Sequence, residues 1–223
     1  MRAVEREGQD KSMNGVLSVA RKACEGCTRQ VADASLPTQW GDFRALGFER
    51  LINGRVETAM ALIMGDISLG IPLVRIHSQC LTGEVFGSLR CDCGAQLDSA
   101  MKSITAEGAG ILVYEQQEGR GIGLMAKLQA YVLQDGGLDT IEANEHLGLS
   151  ADYRDFALPV EILKRLGVER LRLLTNNLQK VAAVTNAGIE VVERLACEVP
   201  PSRQARFYLT TKKLKMGHVL TMV

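Results

Sequence analysis

The sequence contains no uninterrupted apolar run of about 18 residues, so no membrane-spanning helix is expected. It has no excess of either charge: 26 Lys+Arg stand against 26 Asp+Glu, a formal net charge of zero. A general nucleic-acid binder needs a clustered cationic excess to neutralise phosphates, so that class is set aside; any bound anion must be held by a local site. Six cysteines in 223 residues are too few for a disulfide scaffold. Residues 1–14 carry both charges and no apolar run, unlike a secretory leader. The expected compartment is therefore the cytoplasm, with thiols reduced and available as ligands or nucleophiles. Internal repeats and low-complexity segments are also lacking.

What is present is ordinary globular composition, 46% hydrophobic and 23% charged, which argues against a disordered chain. The length fits one domain with a short appendage, large enough to fold without a disulfide or a metal. The chain divides near Leu36. Residues 1–35 mix charges and glycines with one apolar stretch at 16–20, and read as a loosely ordered N-terminal extension with one short helix. Residues 36–223 read as the folded domain, in which short apolar runs alternate with helical patterns. Residues 56–64 and 73–76 are expected strands bounded by Gly or Pro. Leu97, Ala100, Met101 and Ile104 fall on one helix face, and Gly108 and Gly110 stop that helix before an expected buried strand at 111–114. A second helix should bury Leu124, Leu128, Tyr131 and Val132 and end at Gly136-Gly137. A helix closing at 162–166, a strand at 171–174, a helix at 181–184 and a last strand at 189–192 complete the pattern. The expected fold class is α/β (α+β), a mixed β-sheet flanked by helices.

The strongest chemical signal is Cys80, Cys91 and Cys93, spaced C-x10-C-x-C. Thiolates are soft ligands suited to Zn²⁺, and three protein ligands with a fourth position open to water describe a catalytic zinc. Arg90 beside the pair favours the thiolate form. Buried thiols, or a structural site completed by His77 or a remote ligand, fit the spacing as well. A His-Glu-x-x-His zinc protease and the zinc deaminase signature are excluded by absence of their motifs. Cys24 and Cys27 form a C-x-x-C without the second pair of a zinc ribbon, and Cys197 reads as an ordinary buried thiol.

Residues 118–123, EGRGIG, follow an expected strand and open an expected helix. Glycines there let backbone N–H groups approach a phosphate, although a ligand-free tight turn reads the same way, and neither the Walker nor the dinucleotide pattern is matched. Asp152-Tyr153-Arg154-Asp155 is either a helix cap with a solvated ion pair or a reactive pair. Thr175-Asn176-Asn177, with Lys180 after it, caps a helix or holds an anion. His146 and His218 lack a partner motif and read as structural; Tyr131 reads as core.

Together these segments resemble the GTP cyclohydrolase II family. The matching blocks are LPTQWGDF (36–43), RIHSQCLTGEVFGSLRCDCGAQLD (75–98), QEGRGIGL (117–124), YVLQDGGLDTIEAN (131–144), ADYRDF (151–156), LLTNN (173–177) and KMGH (215–218). The resemblance implies an enzyme that hydrolyses GTP to 2,5-diamino-6-(5-phosphoribosylamino)pyrimidin-4(3H)-one, releasing formate and pyrophosphate at the entry to riboflavin synthesis. It implies Zn²⁺ and Mg²⁺ as cofactors, a homodimer, and no nucleic-acid or membrane partner. By the same resemblance Cys80, Cys91 and Cys93 are the zinc ligands, and Arg154 is the nucleophile towards the α-phosphate. Asp152 is its proton acceptor, and Tyr131 stands near the ring-opening chemistry. Arg75, Ile76, His77, Ser78, Gln79, Gln96, Glu118, Gly119, Arg120, Thr140, Thr175 and Lys180 line the nucleotide site. Glu118 has the chemistry to accept from a guanine edge, and Arg120 and Lys180 to offset triphosphate charge. A guanidinium nucleophile is the hardest role to rationalise, since arginine stays protonated near neutrality; transition-state stabilisation is the alternative for Arg154.

The sequence departs from the family pattern where Gln79 replaces the usual acid before the first cysteine and where Leu178 replaces a common proline. Residues 1–34 have no family counterpart, and the dihydroxybutanone-phosphate synthase domain often fused to this family is not in the sequence. Two other readings follow from these departures: a paralogue stopping at the formamide intermediate or serving a specialised pathway, and a non-catalytic zinc or nucleotide-binding module.

Overall fold

The computed structural model describes residues 25–223. The helix expected at 16–20 and Cys24 lie outside the described residues; Cys27 is exposed. The expected strands and helices from residue 56 onward all form. Among the described residues, seven strands make one mixed sheet in the order β1-β2-β3-β5-β4-β6-β7. The strands are β1 (Thr28–Thr38), β2 (Gly41–Ile52), β3 (Arg55–Met64), β4 (Leu73–Ser78), β5 (Gly110–Glu115), β6 (Arg170–Leu174) and β7 (Glu190–Leu195). β1, β2, β3 and β5 pair antiparallel, and β5, β4, β6 and β7 pair parallel.

Strand alternation divides the core into two layers. Val74, Ile76, Ile111 and Val113 face α5 (Ala157–Arg165) and α6 (Leu178–Asn186), which contribute Leu158, Ile162, Leu163 and Val184. Leu73 and Leu112 face α2 (Cys93–Glu107), which buries Ala100, Met101 and Ile104. The helices joining parallel strands thus cover both faces, as parallel pairing requires.

Three sequence expectations change. The boundary near Leu36 falls inside β1, whose residues 28–35 are already paired with β2. They read as an extension because this is an edge strand, with nearly every side chain exposed and polar or small. The second correction concerns α3 (Leu124–Asp135), which forms as expected but buries Lys127 and Ala130, while Met125, Leu128 and Val132 are exposed. Its inner face lies over a polar cleft, so polarity there is the consistent choice. Finally, β2, α1 (Leu81–Glu84), α4 (Thr140–His146) and α7 (Arg206–Lys215) were not foreseen. Leu178 merely opens α6, where Asn177 caps by accepting from Gln179 N at 2.9 Å, so loss of a proline costs no hydrogen bond.

Candidate active site

β4 has β5 on one side and β6 on the other, and chain connections diverge from it in both directions. The cleft outside the carboxyl ends of such strands is where open α/β sheets place their ligands. Here it is lined by residues from β4 and the turn after it, the 117–122 turn, α3, Arg154, residues 175–177, α6 and α7.

The metal-ligand reading is built from the end of β4. Cys80 precedes the single turn α1, Cys91 closes the loop that follows, and Cys93 opens α2. Their sulfur atoms lie within 4.8 Å of one another, with Cys80 and Cys91 at 3.6 Å. Hydrogen bonds from Cys91 and Cys93, then the nearby Lys127 ammonium, hold the Cys80 thiol far below its ordinary range; the same contacts and burial push Cys91 and Cys93 up. Three soft donors crowded this way suit one Zn²⁺, which deprotonates coordinating thiols outright. Among the described residues no fourth side chain joins the group. His77, the fourth ligand allowed by the sequence, points its Nε2 at Glu84 Oε1, 2.9 Å away, and burial lowers its pKa to about 4. Glu84 also accepts from Cys80 N at 2.7 Å and from the Tyr114 hydroxyl at 2.5 Å, fixing the strand end that presents the first thiol.

Two glycines make the thiol cluster possible, and the sequence pattern did not single them out. A Cβ on Gly83 would stand 2.8 Å from Cys91 Sγ and 3.2 Å from Cys80 Sγ; one on Gly94 would stand 2.3 Å from the Gly83 carbonyl oxygen. Bare backbone on both sides is therefore what lets α1 meet the start of α2. Gly83→Ala is expected to lower metal affinity about 10–100-fold, as disturbed support of metal ligands commonly does. Chelator competition checks this, and unchanged affinity would contradict the packing argument.

The rest of the cleft is cationic. Among the described residues, Arg75, Arg90, Arg120, Lys127, Arg154, Lys180 and Lys212 line it against one carboxylate, Glu118, although the chain as a whole is neutral. Arg120 takes a left-handed backbone, φ 62°, directly after Gly119 at φ 62°, so the 118–121 turn folds back and aims the guanidinium inward. Arg75 Nε, Arg120 Nη2 and Asn177 Nδ2 are buried donors with no acceptor among the described residues. Leaving such donors unmatched is costly, which marks the cleft as shaped for an anion.

The structure brings most expected residues to this cleft. His77, Ser78, Gln79, Gln96, Gly119, Thr140 and Thr175 line it beside the cations. Tyr131, core by its pattern but a site residue by the resemblance, is in the wall: its hydroxyl is 3.3 Å from Thr82 Oγ1, and the Arg90 guanidinium sits 4.8 Å from its ring centre. Ile76 is a correction, since alternation turns its side chain into the opposite core layer, leaving only its carbonyl to accept from Lys180 Nζ at 2.9 Å. Glu118 is another. Its Oε1 accepts from Lys127 Nζ at 2.6 Å and Gly119 N at 2.8 Å, and Oε2 from Leu81 N at 2.6 Å. With Oε1 filled, the carboxylate cannot offer two acceptors to a guanine edge; it holds the turn instead.

Arg154 grips Asp152 with a fork, Nε to Oδ1 at 2.9 Å and Nη2 to Oδ2 at 2.6 Å, with both side chains nearly buried. Burial raises the Asp152 pKa, yet the Arg154 hydrogen bonds and charge bring it below its ordinary value; Asp152 in turn holds Arg154 protonated. Beneath them Glu115 accepts from Ser78 Oγ at 2.5 Å, and burial pushes the Lys180 ammonium well down in pKa.

Sequence reasoning missed Lys127, Tyr208, Lys212 and the lining role of His218. Tyr208 and Lys212 come from α7, whose cluster of lysines reads as a solvated surface helix. His218 is paired to Asn177 across an isolated bridge and is held neutral by burial, at a pKa of about 3. His146 is exposed near the end of α4.

A sequence model of the GTP cyclohydrolase II family matches residues 28–196. GTP cyclohydrolase-2 of Enterobacter sp. (strain 638) is 53% identical over 194 residues, 86% of this chain and 98% of that protein. The Pectobacterium atrosepticum protein of the same name is 52% identical over 87% of this chain and 98% of its own length. The riboflavin biosynthesis protein RibBA of Bacillus mycoides is 51% identical over 87% of this chain but only 49% of that protein.

Proposed function

The chain belongs to the GTP cyclohydrolase II family, and on that premise we propose that it hydrolyses GTP to 2,5-diamino-6-(5-phosphoribosylamino)pyrimidin-4(3H)-one, formate and pyrophosphate as an enzyme of riboflavin biosynthesis. The observation that carries this reading is the meeting, in one cleft, of a three-thiol metal cluster with buried cationic donors that lack an acceptor. Nucleotide hydrolysis at two separate positions, a ring carbon and a phosphate, asks for both.

Cys80, Cys91 and Cys93 would hold Zn²⁺, which when bound supplies Lewis-acid activation of water for attack at the guanine C8. Tyr131, beside the thiols with its hydroxyl in the cleft, is placed to donate to the opening ring. Arg75, Arg120 and Lys180 bind the phosphates, and a triphosphate beside Lys180 would favour its charged form against the burial that disfavours it. Arg154 acts at the α-phosphate. The carboxylate fork that keeps it cationic favours stabilising charge on the phosphoryl oxygens; the nucleophilic role would require Asp152 to take a guanidinium proton. Gln79, Gln96, Thr140 and Thr175 complete the nucleotide wall. Glu118, the one lining carboxylate among the described residues, already accepts from Lys127, Gly119 and Leu81, so the cleft offers Mg²⁺ no uncommitted acid. Mg²⁺ is expected to arrive on the triphosphate, as that ion commonly does.

The exposed apolar side chains of α3 continue into the loop between the cysteines, where Val85, Phe86 and Leu89 are also exposed; Arg90 ties that loop to α3 through Tyr131 and Asp135. This strip is the proposed homodimer surface. Phe86→Glu with Val132→Glu is expected to give a monomer by sedimentation, and a dimer surviving both changes would move the interface elsewhere. No helix among the described residues is long and apolar enough to cross a membrane; a cytoplasmic location and a catalytic unit beginning within β1 belong to the same proposal.

Zinc-loaded protein incubated with GTP and Mg²⁺ tests the reading, following formate, pyrophosphate and product mass together. Equal formate and pyrophosphate with the diaminopyrimidine mass is the expected result. Pyrophosphate with a formamide-bearing product would replace it with the truncated reaction, and no turnover would sink it.

A further inference from the structure

The segment 151–155 that carries Asp152 and Arg154 has no regular secondary structure, yet its geometry has to be held for a buried guanidinium to work. Three contacts pin it. Tyr153 N donates to the Arg120 carbonyl at 2.9 Å. Arg50, buried on β2, reaches Asp155 Oδ2 at 3.2 Å while also gripping Glu57 and Glu161. The third is the side-chain amide of Gln117. Its Nε2 donates to the Asp155 carbonyl at 2.5 Å and to Glu115 Oε2 at 2.7 Å, and its Oε1 accepts from Asp155 N at 2.9 Å.

We infer that Gln117 is a positioning residue for this reaction, clamping both main-chain groups of Asp155 so that Arg154 is fixed against the end of β5. Gln117 lines the cleft, but both its amide protons are committed to the protein and its oxygen already accepts from Asp155, so it has no donor left for a substrate and its role is alignment. The amide mimics one step of a β-ladder, joining an irregular loop to the centre of the sheet. Glu115, the residue it ties to, also accepts from Ser78 and faces Lys180 at 4.0 Å, so the clamp links the phosphate-side cations to the Arg154 loop. No glutamate serves in its place: a carboxylate keeps the acceptor, loses both donors and repels Glu115.

This inference rests on the functional reading above, so its test has one arm that needs no turnover. In Gln117→Ala, hydrogen exchange at the Asp155 amide, which donates to Gln117 Oε1, should accelerate while exchange in β4 and β5 stays unchanged. In the turnover arm, kcat should fall about 10–100-fold, the usual consequence of a displaced catalytic group, with KM for GTP within about threefold. Gln117→Glu should be worse than Gln117→Ala in kcat. Unchanged exchange at Asp155 overturns the clamp. Faster exchange with kcat within about twofold overturns its positioning role. Parallel losses in kcat, GTP affinity and Tm reduce Gln117 to a fold-stabilising contact and overturn it too. Should the parent protein fail to turn over GTP, the functional reading falls while the exchange arm still decides whether the clamp exists.

Discussion

Cys91→Ser is expected to reduce GTP turnover by at least about a thousandfold, because an activated water at a metal commonly supplies several kcal/mol of the barrier reduction. Serine is nearly isosteric and a hard, weakly acidic donor, so the change removes the soft ligand and little else. Cys91 is half-buried and at the edge of the sheet's carboxyl end, outside both core layers. The variant should therefore fold, and its Tm should match that of the parent stripped by a chelator. Adding chelator should lower the parent's Tm, since a ligand bound only by the native state stabilises it, and should leave the variant's Tm almost unmoved. A variant that retains turnover, or a parent whose activity and Tm ignore the chelator, would refute the metal reading.

Arg154→Ala should bring the second large loss, about 10²–10⁴-fold in kcat, through removal of the group aligned on the reacting phosphate. It also strips the partner from a nearly buried carboxylate. Breaking such a pair on one side commonly costs about 3 kcal/mol or more, so the single variant should be destabilised as well as inactive. Arg154→Ala combined with Asp152→Asn separates the two effects: stability should return in large part, while turnover should not. Arg154→Lys keeps a charge but not the fork that meets Asp152 at two oxygens, and should sit between parent and alanine. Turnover restored by the double change would show that Arg154 serves only to neutralise Asp152.

Much of this site could be read along the chain because its chemistry is local. Cys80, Cys91 and Cys93 fall within fourteen residues, and their type and spacing already offer three soft donors to a metal. The glycines of 119–123 announce a turn after an apolar run, and the structure puts that turn at the cleft. Where sequence reasoning failed, the missing information was direction. Periodicity shows that α3 has an apolar face but not that a polar cleft lies under the other one, so the pattern alone reads Tyr131 as core, where the family resemblance puts it near the chemistry, and gives Lys127 no role. Ile76 was carried along with its neighbours on β4 although alternation sends it to the far side of the sheet. Nothing in the chain reveals that Lys127, Leu81 and Gly119 already engage Glu118, which leaves it too few free acceptors for a two-point guanine edge.

The sequence by itself determined the alternation of strands and helices, the three cysteines as a candidate metal-ligand set and, through its motifs, the resemblance to the family. These depend on residue type and short spacing, which a linear chain displays. Only the tertiary structure decided which cations converge, that Gly83 and Gly94 leave room for the thiols, and that Gln117 holds Asp155. Each of those depends on contacts that the fold makes between residues not adjacent in the chain, from Gly83 and Cys91 to Gln117 and Asp155, where distance and orientation, not composition, set the energy.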